Sequence, residues 1–438
     1  MSTATINRTG GKTARLQLLA ASVGTVVESF DWIIYAVLAP YFAGQMFAGS
    51  NPAAQLLSTY LVFAIGFIVR PLGAVIMGRL VDRRGRRFGL ILSVWIISVG
   101  SVIIALTPTA SVIGIWAAII IVLTRMGQGI SVSGEQAAAG TYLVETAPRN
   151  RVYLFGSIGS SATYIGQMLA LGTVATLLSV LGQEALQNGG WRWGFSICGL
   201  LGIIASWIRR IAPESEVFEK EAKADPQPVL PVLKAHWRQS LAVFMMLIPA
   251  TMGLYFVTSY MPVYLNSTGA ATKEQVAVIL PWLTMFLIAV IIVAGAVADR
   301  VGGLRMARAS YIFLAVCTVP IILGMSSRTL PVVGGSIVYL IGLGAVTAPF
   351  AVLAPQLFPA RVRAMGAALP SMLAVAVFGG TFPLVAQAML TNNALGFLPY
   401  YIGAGALVGL IGSFVIRHKD LKDIQVAPKT ESAVPTLP

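Results

Sequence analysis

Charge is scarce in this chain. Of 438 residues only 11% are Asp, Glu, Lys or Arg, while 57% are hydrophobic and the mean hydropathy is +0.81. An ordinary soluble protein carries about 25% charged residues. So few ionisable groups cannot cover the surface of a water-soluble protein of this size, which excludes soluble enzymes, nucleic-acid binders and disordered scaffolds. Histidine is nearly absent: His236 and His418 both stand in polar stretches, so no imidazole inside an apolar run can hold a metal or carry a proton. The two cysteines, Cys198 and Cys317, lie in separate apolar runs and read as small packing residues, without metal-ligand spacing or a disulfide pattern. Also missing are the Gly-x-Ser-x-Gly elbow, His-Glu-x-x-His and the phosphate loop that an ATP-driven pump needs. No metal and no organic cofactor is expected, and an enzyme or receptor reading has no constellation to rest on.

What the chain has in quantity is long apolar runs. A membrane-crossing helix needs about 20 mostly apolar residues. Such runs fall near 16–44, 55–79, 88–107, 111–144, 152–180, 191–211, 239–265, 274–299, 304–326, 330–356, 362–388 and 395–417. Nothing alternates in the ten-residue manner of a membrane barrel, and only a helix satisfies its own backbone in a continuous apolar run. The expected fold is therefore all-α and integral to a lipid bilayer, with twelve transmembrane helices in two six-helix bundles. Residues 1–15 form a polar cytoplasmic segment, 16–211 the first bundle, 212–238 a charged, proline-containing cytoplasmic linker, 239–417 the second bundle, and 418–438 a cytoplasmic tail. The opening segment, with Arg8, Lys12 and Arg15, lacks the short apolar core of a cleaved signal, so the first span reads as retained.

The net charge of +14 is a topology signal. With both termini in the cytoplasm, 25 of the 30 basic residues fall in cytoplasmic segments, whereas the outer segments hold only Arg192, Lys273 and Arg328. The remaining two, Arg70 and Arg125, lie inside spans. An internal repeat supports the division into halves. Gly78-Arg79-Leu80-Val81-Asp82-Arg83-Arg84-Gly85-Arg86-Arg87 follows the second span and Ala298-Asp299-Arg300-Val301-Gly302-Gly303-Leu304-Arg305 follows the eighth, placing Asp82 and Asp299 217 residues apart. Six spans is an even number, so the two copies face the same side, as parallel repeats do.

The Gly78 to Arg87 loop resembles the cytoplasmic signature of the major facilitator superfamily, and Asp299-Arg300 its degenerate second copy. Four further stretches narrow the resemblance to the metabolite:proton symporter family: Gly24 to Trp32 with Glu28 and Asp31, Arg70-Pro71-Leu72-Gly73, Arg125-Met126-Gly127-Gln128-Gly129 with Glu135 beyond it, and Leu357-Phe358-Pro359 with Arg361 and Arg363. Ser29 stands where that family has an aromatic, and Gln356 where it has Glu before Leu-Phe-Pro. The resemblance implies a carrier of a small organic acid or zwitterion, coupled to the proton, working by alternating access in the bacterial inner membrane. It is expected to function as a monomer. Proton-coupled drug efflux is the alternative within transport. In the family the signature loop resembles a gate latch, so Gly78, Asp82, Arg83, Gly85, Arg86, Asp299 and Arg300 are gating candidates.

Charged groups at helix centre cost about 2.5–3.5 kcal/mol or more, and five stand deep in spans of the first half: Glu28, Asp31, Arg70, Arg125 and Glu135. At 1.5 Å per residue, Glu28 and Asp31 lie roughly 18 and 22 Å from the cytoplasmic edge, on one helix face. Depth matches Asp31 or Glu28 with Arg125, and Glu135 with Arg70. Three carboxylates against two arginines leave one negative charge, which one proton neutralises. Glu28 or Asp31 is the expected proton carrier, with a static ion-pair network as the other reading of the same residues. Arg125 offers a planar fork suited to a substrate carboxylate. Candidate cavity residues are Gln128, Tyr35, Tyr164 and Gln167 in the first half, and Tyr255, Tyr260, Trp282 and Gln356 in the second. For Trp282, near the outer edge, an interfacial anchor is the favoured reading. The second half carries no charge away from its span ends, so its contribution is expected to be polar and aromatic.

Overall fold

The computed structural model describes residues 9–49, 51–84, 86–132, 150–211, 234–359, 362–416 and 420–421, with side chains at all of these except 9–21, 75, 78, 81–83, 86–87, 210–211 and 364–365. The described residues fold into long helices. In the first half, α1 is Thr9–Met46, and α2 is Pro52–Ile68 carried on beyond Val69 by Arg70–Arg84. Then come α3 (Arg86–Leu106), α4 (Trp116–Ser131), α5 (Val152–Ala185, whose end widens into a π-helix, Leu186–Gly190) and α6 (Arg192–Ile211). The second half opens with α7, which is Trp237–Tyr255, a π-helical Phe256–Tyr260 and Met261–Ser267. It continues with α8 (Lys273–Val301), α9 (Gly303–Ser326) and α10 (Val332–Gln356). Last are α11, which is Arg363–Ala374, a π-helical Val375–Gly380 and Phe382–Thr391, and α12 (Leu398–Val415).

Among the described residues, ten helices are long and apolar enough to cross a membrane. The shorter apolar α4 and the 20-residue α6 stand at the positions expected for the fourth and sixth spans. The run expected to continue α4 to residue 144, the linker up to residue 233 and most of the tail lie outside the described residues.

Local chemistry sets the helix ends. Asn51 accepts from the N–H groups of Ala53 and Ala54 and Pro52 supplies a preset φ, so α2 begins there. Thr272 and Gln275 form a reciprocal capping box at the start of α8. At the end of α3 the orphaned carbonyls of Ala105 and Thr107 accept from the Arg192 guanidinium at 3.1 and 3.0 Å. Pro71 has no N–H to offer the carbonyl of Phe67, which accounts for the interruption of α2 at Val69.

The helices of each half pack mainly on one another: α1 on α5 and α6 and α3 on α6, then α7 on α12 and α9 on α10 and α12. The halves meet along two seams, α5 against α8 and α10, and α2 against α11. Close approach on the first seam needs glycine, because a Cβ on Gly295 of α8 would lie 2.3 Å from the Ser157 hydroxyl oxygen of α5. Between the seams the halves leave a space, and Glu28 and Arg70 of the first half line it.

Candidate functional site

A cavity of about 340 Å³ lies between the halves. Thr25, Glu28, Ser29 and Trp32 of α1, Arg70 of α2, and Tyr164 and Gln167 of α5 form its wall on one side. Across it stand Thr251 and Tyr255 of α7, Phe350, Ala354 and Pro355 of α10, and Arg363, Ala367 and Ser371 of α11. The lining runs from mid-helix at Trp32 and Tyr255 to Pro355 and Arg363, so the cavity extends toward the membrane face where the signature loop lies. Its opposite end is closed by rings. Phe63 and Phe67 of α2 meet Tyr255 with centroids 6.0 and 5.8 Å apart. Tyr60 meets Tyr260 at 6.2 Å, and the Tyr260 hydroxyl donates to Gln387 at 3.1 Å. The second seam is tight at this level, for a Cβ on Gly380 would sit 2.4 Å from the Phe67 ring.

Glu28 and Arg70 face this cavity together and attract each other electrostatically, with the Tyr255 ring near both. The Arg70 guanidinium also lies over the rings of Phe67 and Trp32, at 4.0 and 4.4 Å. Glu135, the partner that depth suggested for Arg70, lies outside the described residues; Glu28 is the described carboxylate beside this arginine.

Asp31, three residues on, has an entirely different setting. It is fully buried inside the first half and pairs with Arg125 at 2.7 Å. Its carboxylate accepts further hydrogen bonds from Ser101 at 2.5 Å, Gln128 at 3.1 Å and the Cys198 thiol at 3.7 Å. Arg125 packs over the ring of Tyr35 at 4.2 Å. None of Asp31, Arg125, Gln128 or Tyr35 lines the cavity; Trp32, whose ring is 5.7 Å from the Arg125 guanidinium, separates the two ionic sites. Removing charge from water costs several kcal/mol per ion, repaid only when pairing and hydrogen bonding are nearly complete. Four donors meet that condition for the Asp31 carboxylate, whereas Nε and Nη2 of Arg125 are buried without a hydrogen-bond partner.

The other expected site residues divide by position. Tyr164, Gln167 and Tyr255 line the cavity, as do Glu28 and Arg70. Tyr260 belongs to the ring closure. Trp282 is 66% exposed on the outer surface of the bundle, the setting of the interfacial reading. Gln356 is half-buried and accepts weakly from the Tyr153 hydroxyl at 3.5 Å. Of the gating candidates, Gly85 is outside the described residues, and Gly78, Asp82, Arg83 and Arg86 have helical backbones without described side chains. Asp299 is placed in full: from the end of α8 it accepts from the N–H groups of Tyr153 and Leu154, at 2.9 and 3.0 Å. A carboxylate of the second half thus caps the first turn of α5 in the first half. Arg300 beside it is exposed.

Two residues were misread from sequence. Arg363, counted among the loop cations, starts α11, is only 8% exposed and lines the cavity, so the second half does bring a cation to it. Its hydropathy context gave no hint, although Arg363, Ala367 and Ser371 at four-residue spacing are a helix face. Cys198, read as packing, touches the Asp31 carboxylate.

The sequence model of the Major Facilitator Superfamily matches residues 21–381. The chain is 31% identical over 408 residues to the alpha-ketoglutarate permease of Escherichia coli (strain K12), spanning 92% of this chain and 93% of that protein. It is also 31% identical over 452 residues to an ectoine/proline transporter of Corynebacterium glutamicum, spanning 98% and 89%. Among solved structures, a D-xylose-proton symporter superposes with a TM-score of 0.71 at 18% identity, covering 94% of this chain and 99% of that one, which is a likeness of fold. The chain belongs to the major facilitator superfamily, in its metabolite:proton symporter family, and is a multi-pass membrane transporter, not an enzyme.

Proposed function

We propose that this protein is a proton-coupled symporter that imports a small organic acid or zwitterion by alternating access. The observation that carries the reading is the cavity between the halves, into which Glu28 and Arg70 both face. In this reading twelve spans form two six-helix bundles, both termini are cytoplasmic, and the protein acts as a monomer in a bacterial inner membrane. The state described here is then closed outward by the aromatic rings, its cavity directed toward the cytoplasm.

Glu28 takes the proton. A coupling carboxylate has to exchange with the water and solute of the cavity, and Glu28 borders that space whereas Asp31 does not. Ionised, Glu28 attracts Arg70; protonated, it gives up that attraction and removes a negative charge that would oppose closure of a low-dielectric site. Asp31 and Arg125 serve as a buried brace holding α1 against α4, with Gln128, Ser101 and Cys198 fixing its geometry. Asp299 contributes to gating by tying α8 to α5 at the end of the cavity nearest the loops.

The relatives named above carry an oxo-dicarboxylate in one case and zwitterions in the other, and a cavity with one acid and arginines on both sides accommodates solutes of either kind. Purified protein reconstituted into vesicles tests the reading: an imposed inward pH gradient is expected to drive accumulation of at least one member of a panel of organic acids, amino acids and betaines. Passive equilibration of every solute, unaffected by the gradient, would refute it.

A further inference from the structure

Tyr255 stands where three features of the structure meet. It is a buried residue of α7, the last before the π-helical Phe256–Tyr260, and it lines the cavity. Its hydroxyl is within electrostatic reach of Arg70, Glu28 and Tyr164, all of the first half. Its ring meets Phe63 and Phe67 of α2 edge to face, at interplanar angles of 72° and 90°. Phe67 in turn lies under the Arg70 guanidinium at 4.0 Å, so the ion site and the ring closure are contiguous. There is no slack beside the tyrosine either. A Cβ on Gly379, in the π-helical stretch of α11, would lie 2.8 Å from its ring. One side chain of the second half therefore reaches the ion site with its polar end, forms the outward closure with its ring, and abuts the π-helical turns of both α7 and α11.

We infer that Tyr255 is a positioning residue that makes the outward ring closure depend on the ionisation of Glu28. The inference rests on the symport reading above, in which Glu28 takes the proton, and deepens it by naming the group of the second half that responds. A phenol hydroxyl both donates and accepts. Toward an ionised carboxylate its O–H makes a charge-assisted bond, about twice as strong as the neutral one left after protonation. Whatever else Glu28 and Arg70 engage, a proton on Glu28 removes one negative charge from the surroundings of this hydroxyl. The other charged or titratable groups on the described lining are Arg70, Arg363 and Tyr164, with Asp31 and Arg125 behind Trp32. An equilibrium shifts only by the difference in interaction between its two states, and Tyr255 supplies that difference. With Glu28 ionised the phenol is held toward the first half and its ring stays seated on Phe63 and Phe67. Loss of the proton to the cytoplasm thus tightens the outward seal while the cavity is open on the other side. By reciprocity a seated ring favours the ionised glutamate.

Hydrogen exchange of the purified full-length protein at the amides of Phe256–Tyr260, at a single pH, tests this as a double-mutant cycle. E28Q stands in for the protonated glutamate and is expected to quicken exchange about tenfold, the difference between a charge-assisted and a neutral hydrogen bond. Y255F keeps the ring and removes the hydroxyl, so it should quicken exchange to a similar extent, and its melting temperature should stay near the parent's. The double variant should exchange no faster than either single one. A ring that only fills space gives a different pattern, with Y255F exchanging like the parent and E28Q acting equally in both backgrounds. Either of those results overturns the inference, as does E28Q exchange equal to the parent's. Vesicle uptake separates this from the underlying reading. If E28Q acts equally with and without the Tyr255 hydroxyl and yet fails to concentrate solute that the parent concentrates, Tyr255 loses its role and symport stands. If the cycle is non-additive but the parent concentrates no solute under a pH gradient, the tyrosine keeps its hold on the closure and the symport reading falls.

Discussion

The two halves share a fold but divide the chemistry. The first half buries Glu28, Asp31, Arg70 and Arg125 in its helices, and surrounds Asp31 with four donors. The second half places one arginine at the cavity, at the start of α11, and otherwise presents tyrosine, threonine, small residues and apolar side chains such as Leu254, Phe350 and Met372. Its helices are also the ones interrupted by π-helical turns at the level of the cavity closure, Phe256–Tyr260 in α7 and Val375–Gly380 in α11. Such turns free backbone groups from the regular ladder and often sit where a helix flexes. The contrast places the buried ion pair in one half and the π-helical turns nearest the ring closure in the other, and it gives two acids three residues apart different surroundings.

The division breaks most visibly at the brace. Asp31→Asn leaves the Arg125 guanidinium buried without a counter-charge, which is expected to cost about 3–5 kcal/mol. Thermal unfolding in detergent reads this as a large fall in melting temperature, and replacing both partners together, D31L with R125M, should recover much of it. A D31N protein as stable as the parent would show that the brace carries no weight. Asp31→Asn therefore tests stability, whereas Glu28→Gln tests coupling.

A smaller effect is expected at the second seam. Gly380→Ala places a methyl group 2.4 Å from the Phe67 ring. Overpacking of this kind costs about 1–3 kcal/mol, here borne only by the state in which α2 and α11 are tight. Hydrogen exchange at the amides of Phe256–Tyr260 should quicken several-fold as the ring closure loosens. Unchanged exchange would mean that the closure does not depend on this contact.

The least of these effects belongs to the cap. Asp299→Ala removes the acceptor for two backbone N–H groups at the start of α5, a loss of about 1 kcal/mol. Turnover should change while the melting temperature moves by only a few degrees, whereas turnover equal to the parent's would take Asp299 out of the gate.

Much of this was legible in the sequence, for reasons that also explain what was not. Ten helices stand where apolar runs of the right length predict them, because a bilayer allows little else for such a run. Depth along the helix narrowed Arg125 to Asp31 or Glu28, but choosing between them needed the rotation of α1, which places Asp31 inside the bundle and Glu28 at the cavity. Arg125, Gln128 and Tyr35 were expected at the solute for the same reason, and stand behind the cavity wall. Arg363 was hidden by the opposite error: a basic residue after Leu357-Phe358-Pro359 looks like loop, yet α11 begins at that residue and its first turn is buried. Cys198 shows a limit of composition, since an isolated cysteine in an apolar run carries no sign that a carboxylate lies against it.

The most direct test of the account is to measure accumulation and exchange of the transported solute by Glu28→Gln in the same vesicles. The account predicts that E28Q exchanges labelled for unlabelled solute across the membrane yet fails to concentrate it under an inward pH gradient. Concentration equal to the parent's would contradict it, and loss of concentration in a folded, exchanging D31N protein instead would move the proton from the cavity to the brace.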